Sequence, residues 1–468
     1  MKNYSTGLLF IPLIFSFSWD VNRKTDKPNI VLINIDDMGW RDTGFTGSDF
    51  YETPNLDALA ERGMIFSNAY ASAANCAPSR ACMMTGMWTP GHDIYTVGSS
   101  ESGKSEHRKL IPVENITILD TSFTILPEVL NAEGYVTCHA GKWHLSEDPR
   151  DHGFDINIGG GHNGHPRSYY PPYKNVDIQP VDGKEYLTDV IMEKTIGFID
   201  SADEPFFLYY SPYAVHTPIQ GVDSLKKKYE NKAHWEGQYN VEYATMIENL
   251  DRNIGNLLAK LKEKDHYDNT LIIFTSDNGG LYGITYQPPL RAGKGSYYEG
   301  GIRVPFFFVW EGRIRPNTLN ETPITNLDLF PTIINCAGID NIDLELEGMN
   351  LLPVLEEIET PPDRVLYWHF PVYLQAYDVS HNETRDSLFR TRPGSVLRHG
   401  KWKLHYYFED QGTELYNLEE DPGERNDLSD ENLAKTAELM EFLQNWWLRT
   451  SAPIPDELNP EFGTITQP

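Results

Sequence analysis

Asn29–Ile35 reads NIVLINI, and Asp36-Asp37 follows it directly. An unbroken apolar, β-branched run of this length is a strand buried on both faces, the kind that parallel sheets use. The two aspartates then stand at its carboxyl end. A second such run, TLIIFTS at residues 270–276, also ends in polar residues, Asp277-Asn278. Between the two, strand and helix patterns alternate. Thr53-Pro54 opens a helix, NLDALAERG, with Thr53 as N-cap, Pro54 at N1 and Gly63 as the stop. Residues 124–132, 188–199, 239–263 and 327–336 read as further helices, and 135–140, 205–210 and 303–310 as strands. The predicted class is α/β: a large mixed, mostly parallel sheet flanked by helices. Sites in such sheets form at the carboxyl ends of strands, so the two acidic doublets can converge in space.

The pattern changes after Glu359-Thr-Pro-Pro-Asp363. SVLRHGKWKLH at 395–405 and residues 414–418 read as short strands around a turn, and 433–448 as a closing helix. This predicts a smaller α+β unit with a short antiparallel sheet. The expected division is a signal peptide at 1–18, a catalytic domain at 24–362, and a C-terminal subdomain at 363–468 that contributes to the pocket. The leader reading rests on Lys2, the apolar GLLFIPLIF at 7–15 and Ser16-Phe17-Ser18 as a cleavage site. That run falls short of the roughly 20 residues that cross a bilayer, so the protein is expected to be exported, periplasmic or secreted, with no transmembrane segment. The cysteines Cys76, Cys82, Cys138 and Cys336 are too few for a disulfide scaffold and fit no zinc-finger spacing. The net charge of −29 gives no general attraction for nucleic acid or anionic membranes. An anionic substrate would have to be held by a local cluster of Lys, Arg, His and metal.

Cys76-Ala-Pro-Ser-Arg80 continues as Ala-Cys-Met-Met-Thr-Gly86. It resembles the signature C-x-P-S-R-x-x-L-x-T-G of the type I sulfatases, in the alkaline phosphatase superfamily, with Met83 where leucine is usual. The resemblance runs from Asn29 to roughly Val309, and more weakly beyond. It implies that a formylglycine-generating or anaerobic sulfatase-maturating enzyme oxidises Cys76 to formylglycine (3-oxoalanine). Once hydrated to a geminal diol, that residue attacks sulfur with one hydroxyl and expels sulfate through the other. Asp36, Asp37, Asp277 and Asn278 match the family's metal ligands, with residue 76 completing the shell. The all-oxygen set suits a hard cation; Mg²⁺ fits on ligand chemistry alone, and the family uses one Ca²⁺. In Gly141-Lys-Trp-His-Leu145, Lys142 would contact sulfate and His144 would act as the base that releases it. His216, in AVHTP, matches the histidine near the leaving oxygen and is assigned as general acid. Lys294 matches the second sulfate-binding lysine, and Arg80 would hold residue 76.

Further expectations concern specificity. The loop GGGHNGHPRSYYPPY at 159–173 offers His162, His165 and Arg167 to a sugar, and His369, Arg390 and Arg392 are further substrate-binding candidates. The implied activity is removal of O-sulfate from a carbohydrate: an algal polysaccharide such as ulvan or carrageenan, or a glycosaminoglycan. The alternatives are a phosphate or phosphonate ester hydrolase of the same superfamily and a non-catalytic glycan-binding protein.

Overall fold

The structure is a computed structural model, and it describes residues 27–180, 182–202, 205–340, 342–377 and 383–463. The expected signal peptide lies outside the described residues. The central sheet has eight strands: β1 (Asn29–Ile35), β2 (Met64–Phe66), β3 (Val136–Gly141), β4 (Ile156–Ile158), β5 (Phe206–Ser211), β6 (Thr270–Ser276), β7 (Phe307–Val309) and β8 (Thr318–Asn320). Their order in space is β4-β3-β5-β1-β6-β7-β2-β8. Only β7 runs antiparallel to its neighbours, so the sheet is mixed and mostly parallel.

Strand periodicity explains the layering. Val31, Ile33 and Ile35 of β1 face one way and pack with Leu56, Ile191 and Ile247 from the helices Pro54–Ala60, Leu187–Ser201 and Val241–Glu263. Ile30 and Leu32 face the other way, against Ala77, Met84, Leu126 and Ile333 from Cys76–Thr85, Leu126–Ala132 and Leu329–Cys336. Helices therefore cover both faces, which is why β1 and β6 carry no polar alternation. Their carboxyl ends are left as the open edge.

The strand expected over 303–310 is confined to Phe307–Val309. Pro305 has no amide hydrogen to give a ladder, and the strand is the antiparallel one. Thr53 does not cap its helix through its side chain; its hydroxyl donates to Asp57 Oδ1 at 2.8 Å instead. All four cysteines are free and buried.

After residue 362, β9 (Val365–Phe370), β10 (Gly394–His399), β11 (Trp402–Tyr407) and β12 (Thr413–Asn417) form an antiparallel sheet in that order. Leu439, Leu443 and Trp446 of the helix Leu433–Thr450 pack on Leu397, Leu404 and Leu415. Cys82, Trp88 and Leu327 join the same cluster, so the small sheet shares a core with the helix that carries Cys76. Among the described residues, no helix is long and apolar enough to cross a membrane.

Candidate active site

The carboxyl ends of β1, β3, β5 and β6 and the start of the helix Cys76–Thr85 meet at one point. Asp36 and Asp37 leave β1, Asp277 and Asn278 leave β6, and the parallel register of β1 with β6 puts Ile35 opposite Ser276. The two doublets are thereby adjacent: Asn278 Nδ2 donates to Asp37 Oδ1 at 2.9 Å, and the Asp37 amide to Asp277 Oδ1 at 3.2 Å. Asp37 adopts a left-handed backbone, φ 61°, a costly conformation for a residue other than glycine and one found at functional sites. Cys76 is the first residue of its helix and is buried. Ligand atoms of Asp36, Cys76 and Asp277 lie within 4.8 Å of one another.

Three basic side chains are buried among these acids. Lys142 Nζ lies 2.8 Å from both oxygens of Asp36. Lys294 Nζ lies 2.6 and 2.9 Å from the two oxygens of Asp37, and 3.9 Å from Cys76 Sγ. Arg80 Nε donates to Asp277 Oδ2 at 2.8 Å, while its Nη1 donates to the Lys142 carbonyl at 2.8 Å and to Ser211 Oγ at 2.6 Å. Ser79, in the same signature, accepts from Asn326 Nδ2 at 2.7 Å and so ties the helix to the chain beyond β8. Gly141 makes the turn into Lys142: its φ is +111°, and a Cβ there would lie 2.0 Å from the Ser211 carbonyl oxygen.

The charges explain the titration shifts. Burial pushes the Asp36 carboxyl up to about 8; Lys142 and Arg80 oppose this, and Asp277 and Asp37 add to it. Asp37 is also buried, but Lys294 and His216 hold its carboxyl below the usual range. Burial lowers Lys294, but Asp37 more than restores it, so its ammonium keeps its proton. His144 and His216 are both held well below the ordinary imidazole value by burial, with Lys142 foremost among the cations for His144 and Lys294 for His216.

The histidines flank this centre. His216 Nδ1 lies 2.8 Å from the Thr217 carbonyl oxygen, so Nδ1 carries a proton and Nε2, 3.5 Å from Asp37 Oδ2, is the nitrogen that faces the site. The Val215 amide donates to the Asp36 carbonyl at 3.1 Å, which seats this segment beside β1. His144 has φ 66° and a buried Nδ1 with no hydrogen-bond partner. The 159–173 loop lies over it: the His162 ring centroid is 6.2 Å away, and a Cβ on Gly164 would meet His144 Cε1 at 2.5 Å. His165 stacks on His216 with centroids 5.7 Å apart, and Arg167 is exposed on the same loop. Arg390 Nη1 approaches the Lys294 carbonyl at 3.5 Å, and no carboxylate among the described residues pairs with it.

Two expectations fail. His369 is 1% exposed, with Nδ1 on Ser395 Oγ (2.7 Å) and Nε2 on the Pro453 carbonyl (2.9 Å). Both ring nitrogens are used inside the fold, so it is not a substrate ligand. Arg392 pairs with Asp386 and, at 2.8 Å, with Glu409, and lies over Phe389; its charge is spent on holding loops together. Sequence reasoning also missed Ser211 and Tyr209, which hold Arg80. Ser211 is the polar residue ending β5, the same signal that marked the acidic doublets.

Known proteins resemble this chain in sequence and in fold. Residues 28–339 match the family model described as Sulfatase, and residues 293–447 that described as N-sulphoglucosamine sulphohydrolase, C-terminal. A protein named Sulfatase from Formosa agariphila is 32% identical over 97% of this chain and 95% of its own length. Human N-acetylgalactosamine-6-sulfatase is 32% identical over 70% of this chain and 66% of its own. The crystal structure of Ps i-CgsB has a TM-score of 0.74 at 31% identity, covering 94% of this chain and 96% of that one; it is also solved in complex with k-i-k-neocarrahexaose. The phosphonate monoester hydrolase of Agrobacterium radiobacter shares the fold, with a TM-score of 0.68 at 20% identity.

Proposed function

The chain belongs to the sulfatase family, and from that premise we propose that it is an exported enzyme that removes O-sulfate from a sulfated carbohydrate, using formylglycine at position 76 and one Ca²⁺. The observation that carries this reading is the convergence of Asp36, Asp37, Asp277, Asn278 and Cys76 with three buried basic groups at one strand-end edge. The chemistry of the donor set fits a hard cation. Asn278 Oδ1 is buried without a partner, and Asp36 sits beside two other carboxylates in a place where burial disfavours its charge. Asp36, Asp37, Asp277, Asn278 and residue 76 would hold the ion, which supplies Lewis acidity toward a sulfate oxygen. Formylglycine, as its hydrate, supplies a nucleophile with a built-in means of releasing sulfate.

The remaining work falls to this chain's own side chains. Lys142 and Lys294 neutralise the sulfate oxygens, and Arg80 fixes residue 76 and Asp277 from behind. His216 delivers a proton from Nε2 to the bridging oxygen, since a sugar alkoxide is a poor leaving group. Burial, helped by Lys294 and Lys142, keeps that imidazole neutral; a bound sulfate would offset the two lysine charges and favour uptake of the proton. His144, held neutral, accepts the proton that sulfate release requires. His162, His165, Arg167 and Arg390 face the sugar. The likeness to N-acetylgalactosamine-6-sulfatase and to a protein crystallised with a neocarrahexaose supports a sulfated galactan or glycosaminoglycan. On this reading residues 24–362 form the catalytic domain, and residues 363–468 form a subdomain that closes the pocket through Arg390.

The test has two parts. Mass analysis of the peptide containing residue 76 must show the aldehyde after production in a host with a maturation enzyme, which is the partner this reading requires. The matured protein must then hydrolyse an aryl sulfate faster than the matching aryl phosphate and phosphonate esters. Preference for a phosphorus ester would transfer the protein to the hydrolases that share its fold.

A further inference from the structure

We propose that Tyr377, Tyr282, Tyr286 and Tyr239 form an aromatic track that seats the sugar rings flanking the sulfated residue, so that the substrate is a chain rather than a single sugar. The proposal rests on the reading of the site as that of a carbohydrate sulfatase.

Among the described tyrosines only Tyr239 and Tyr377 are strongly exposed, at 48% and 71%. A single exposed aromatic calls for no explanation. These two, however, flank the segment that bears Lys294, Tyr377 through Arg390 and Tyr239 through Tyr286 and Tyr282. At its inner end the Arg390 guanidinium lies 3.8 Å from the Tyr377 ring centroid, and the same guanidinium reaches the Lys294 carbonyl. The Lys294 amide donates to the Gly280 carbonyl at 2.9 Å, and a Cβ at Gly293 would lie 2.9 Å from the Tyr282 nitrogen, so the lysine's segment runs directly against Tyr282. Tyr282 meets Tyr286 edge to face at 5.2 Å, and Tyr286 stacks on Tyr239 at 6.2 Å with 28° between the planes. Tyr282 and Tyr286 belong to the loop that follows Asp277-Asn278, so this arm of the track leads away from the proposed metal ligands.

Such a surface matches the chemistry of a glycan. A pyranose ring has an apolar C–H face and a hydroxyl rim, and tyrosine offers a flat apolar ring with a hydrogen-bonding tip. It does so with few side-chain torsions to immobilise. Two centroid steps, of 5.2 and 6.2 Å, extend the contact beyond a single ring. The Arg390 charge at the inner end suits the anionic groups that such chains carry.

The experiment uses ladders of carrageenan and of chondroitin sulfate oligosaccharides, from disaccharide to hexasaccharide. Calorimetric binding to the full-length Cys76→Ala protein should tighten with length on at least one ladder. In the matured enzyme, Tyr239→Ala and Tyr286→Ala should each lower hexasaccharide kcat/KM by about 2- to 10-fold relative to aryl-sulfate kcat/KM, the range expected for one aromatic contact. Tyr239→Trp, which keeps a ring, should restore the ratio. Binding that ignores length on both ladders overturns the proposal, and so does a loss that falls equally on the aryl sulfate. Length-dependent binding without turnover of any sulfate ester would uphold the track and sink the sulfatase reading.

Discussion

Lys403→Met tests whether the small antiparallel sheet holds the Lys294 segment in place. Lys403, on β11, is fully buried, and its Nζ lies 2.9 Å from both Glu299 Oε1 and Glu424 Oε1. Glu299 also accepts from Tyr70 OH at 2.7 Å, and Glu424 from His405 Nε2 at 3.0 Å. Glu299 begins the turn Glu299–Ile302 that closes the segment bearing Lys294, and Arg291 in that segment donates to the Glu424 carbonyl at 2.9 Å. Methionine keeps the stem and removes the charge, leaving two buried carboxylates face to face. Removing one partner of a buried pair costs about 3–5 kcal/mol. The surviving Tyr70 and His405 contacts put this case near about 3 kcal/mol on that scale. For a chain of this length the unfolding entropy is about 1 kcal/mol per degree, so Tm should fall by about 3 °C. Calorimetry reads that fall, and aryl-sulfate kinetics should show a raised KM as Lys294 loosens. Adding Glu299→Gln removes one of the stranded charges and should return part of the loss. The acid limb gives a second reading. Burial pushes Glu299 up, but Lys403, Arg303 and Arg398 hold it down, from 4.5 to about 2. A depressed carboxyl stabilises the fold fully above pH 4.5 and loses that contribution as pH falls through 2, so Lys403→Met should flatten this part of the stability profile. A Tm within a degree of wild type, with unchanged KM, would refute the argument that this network anchors the site.

The remaining predictions concern the centre itself. Cys76→Ala should abolish sulfate release with little change in Tm, since a small side chain is lost with the nucleophile; undiminished release would end the formylglycine mechanism. Chelation should lower both activity and Tm, because a cation at 100 times its Kd contributes about 2.7 kcal/mol; a Tm indifferent to added Ca²⁺ would argue against the metal ligands. His216→Ala should lose about 10²–10⁴-fold on a sugar sulfate and far less on an aryl sulfate, whose leaving group needs no proton. His144→Ala should slow both substrates alike and accumulate sulfate on residue 76, visible by mass. Equal losses on both substrates for His216→Ala would move the acid role to Lys294.

How far the sequence foretold this molecule depended on whether a signal was local. The strands at 29–35 and 270–276 have the bounds read from their apolar runs, because both faces are covered and polar residues end each run abruptly. The acidic doublets were legible for the same reason. Met64–Phe66 was not, since three residues behind Gly63 carry no periodicity and the strand exists through its partners on either side. His369 misled because a histidine in an apolar strand looks the same whether it points to a ligand or to Ser395 and Pro453. Arg392 misled because its carboxylate partners, Asp386 and Glu409, are set by loop packing. The tyrosine path joins residues 239, 282, 286 and 377, whose adjacency only the fold creates.

The centre also explains how a chain of net charge −29 can handle an anion. Asp36, Asp37 and Asp277 are matched one for one by Lys142, Lys294 and Arg80, so the cluster carries no negative excess. The two lysines rest on the oxygens that the proposed cation would take. If Asp36 and Asp37 bind Ca²⁺, the ammonium groups must give up those oxygens, and the cluster gains positive charge in a buried place. An anion is then needed to restore the balance, and the displaced lysines are its nearest donors. Binding of cation and of sulfate ester would each make the other more favourable, and linkage requires the two effects to be equal. The acidic surface does not oppose this, because the compensating charges are buried together and screening confines the exposed ones to short range.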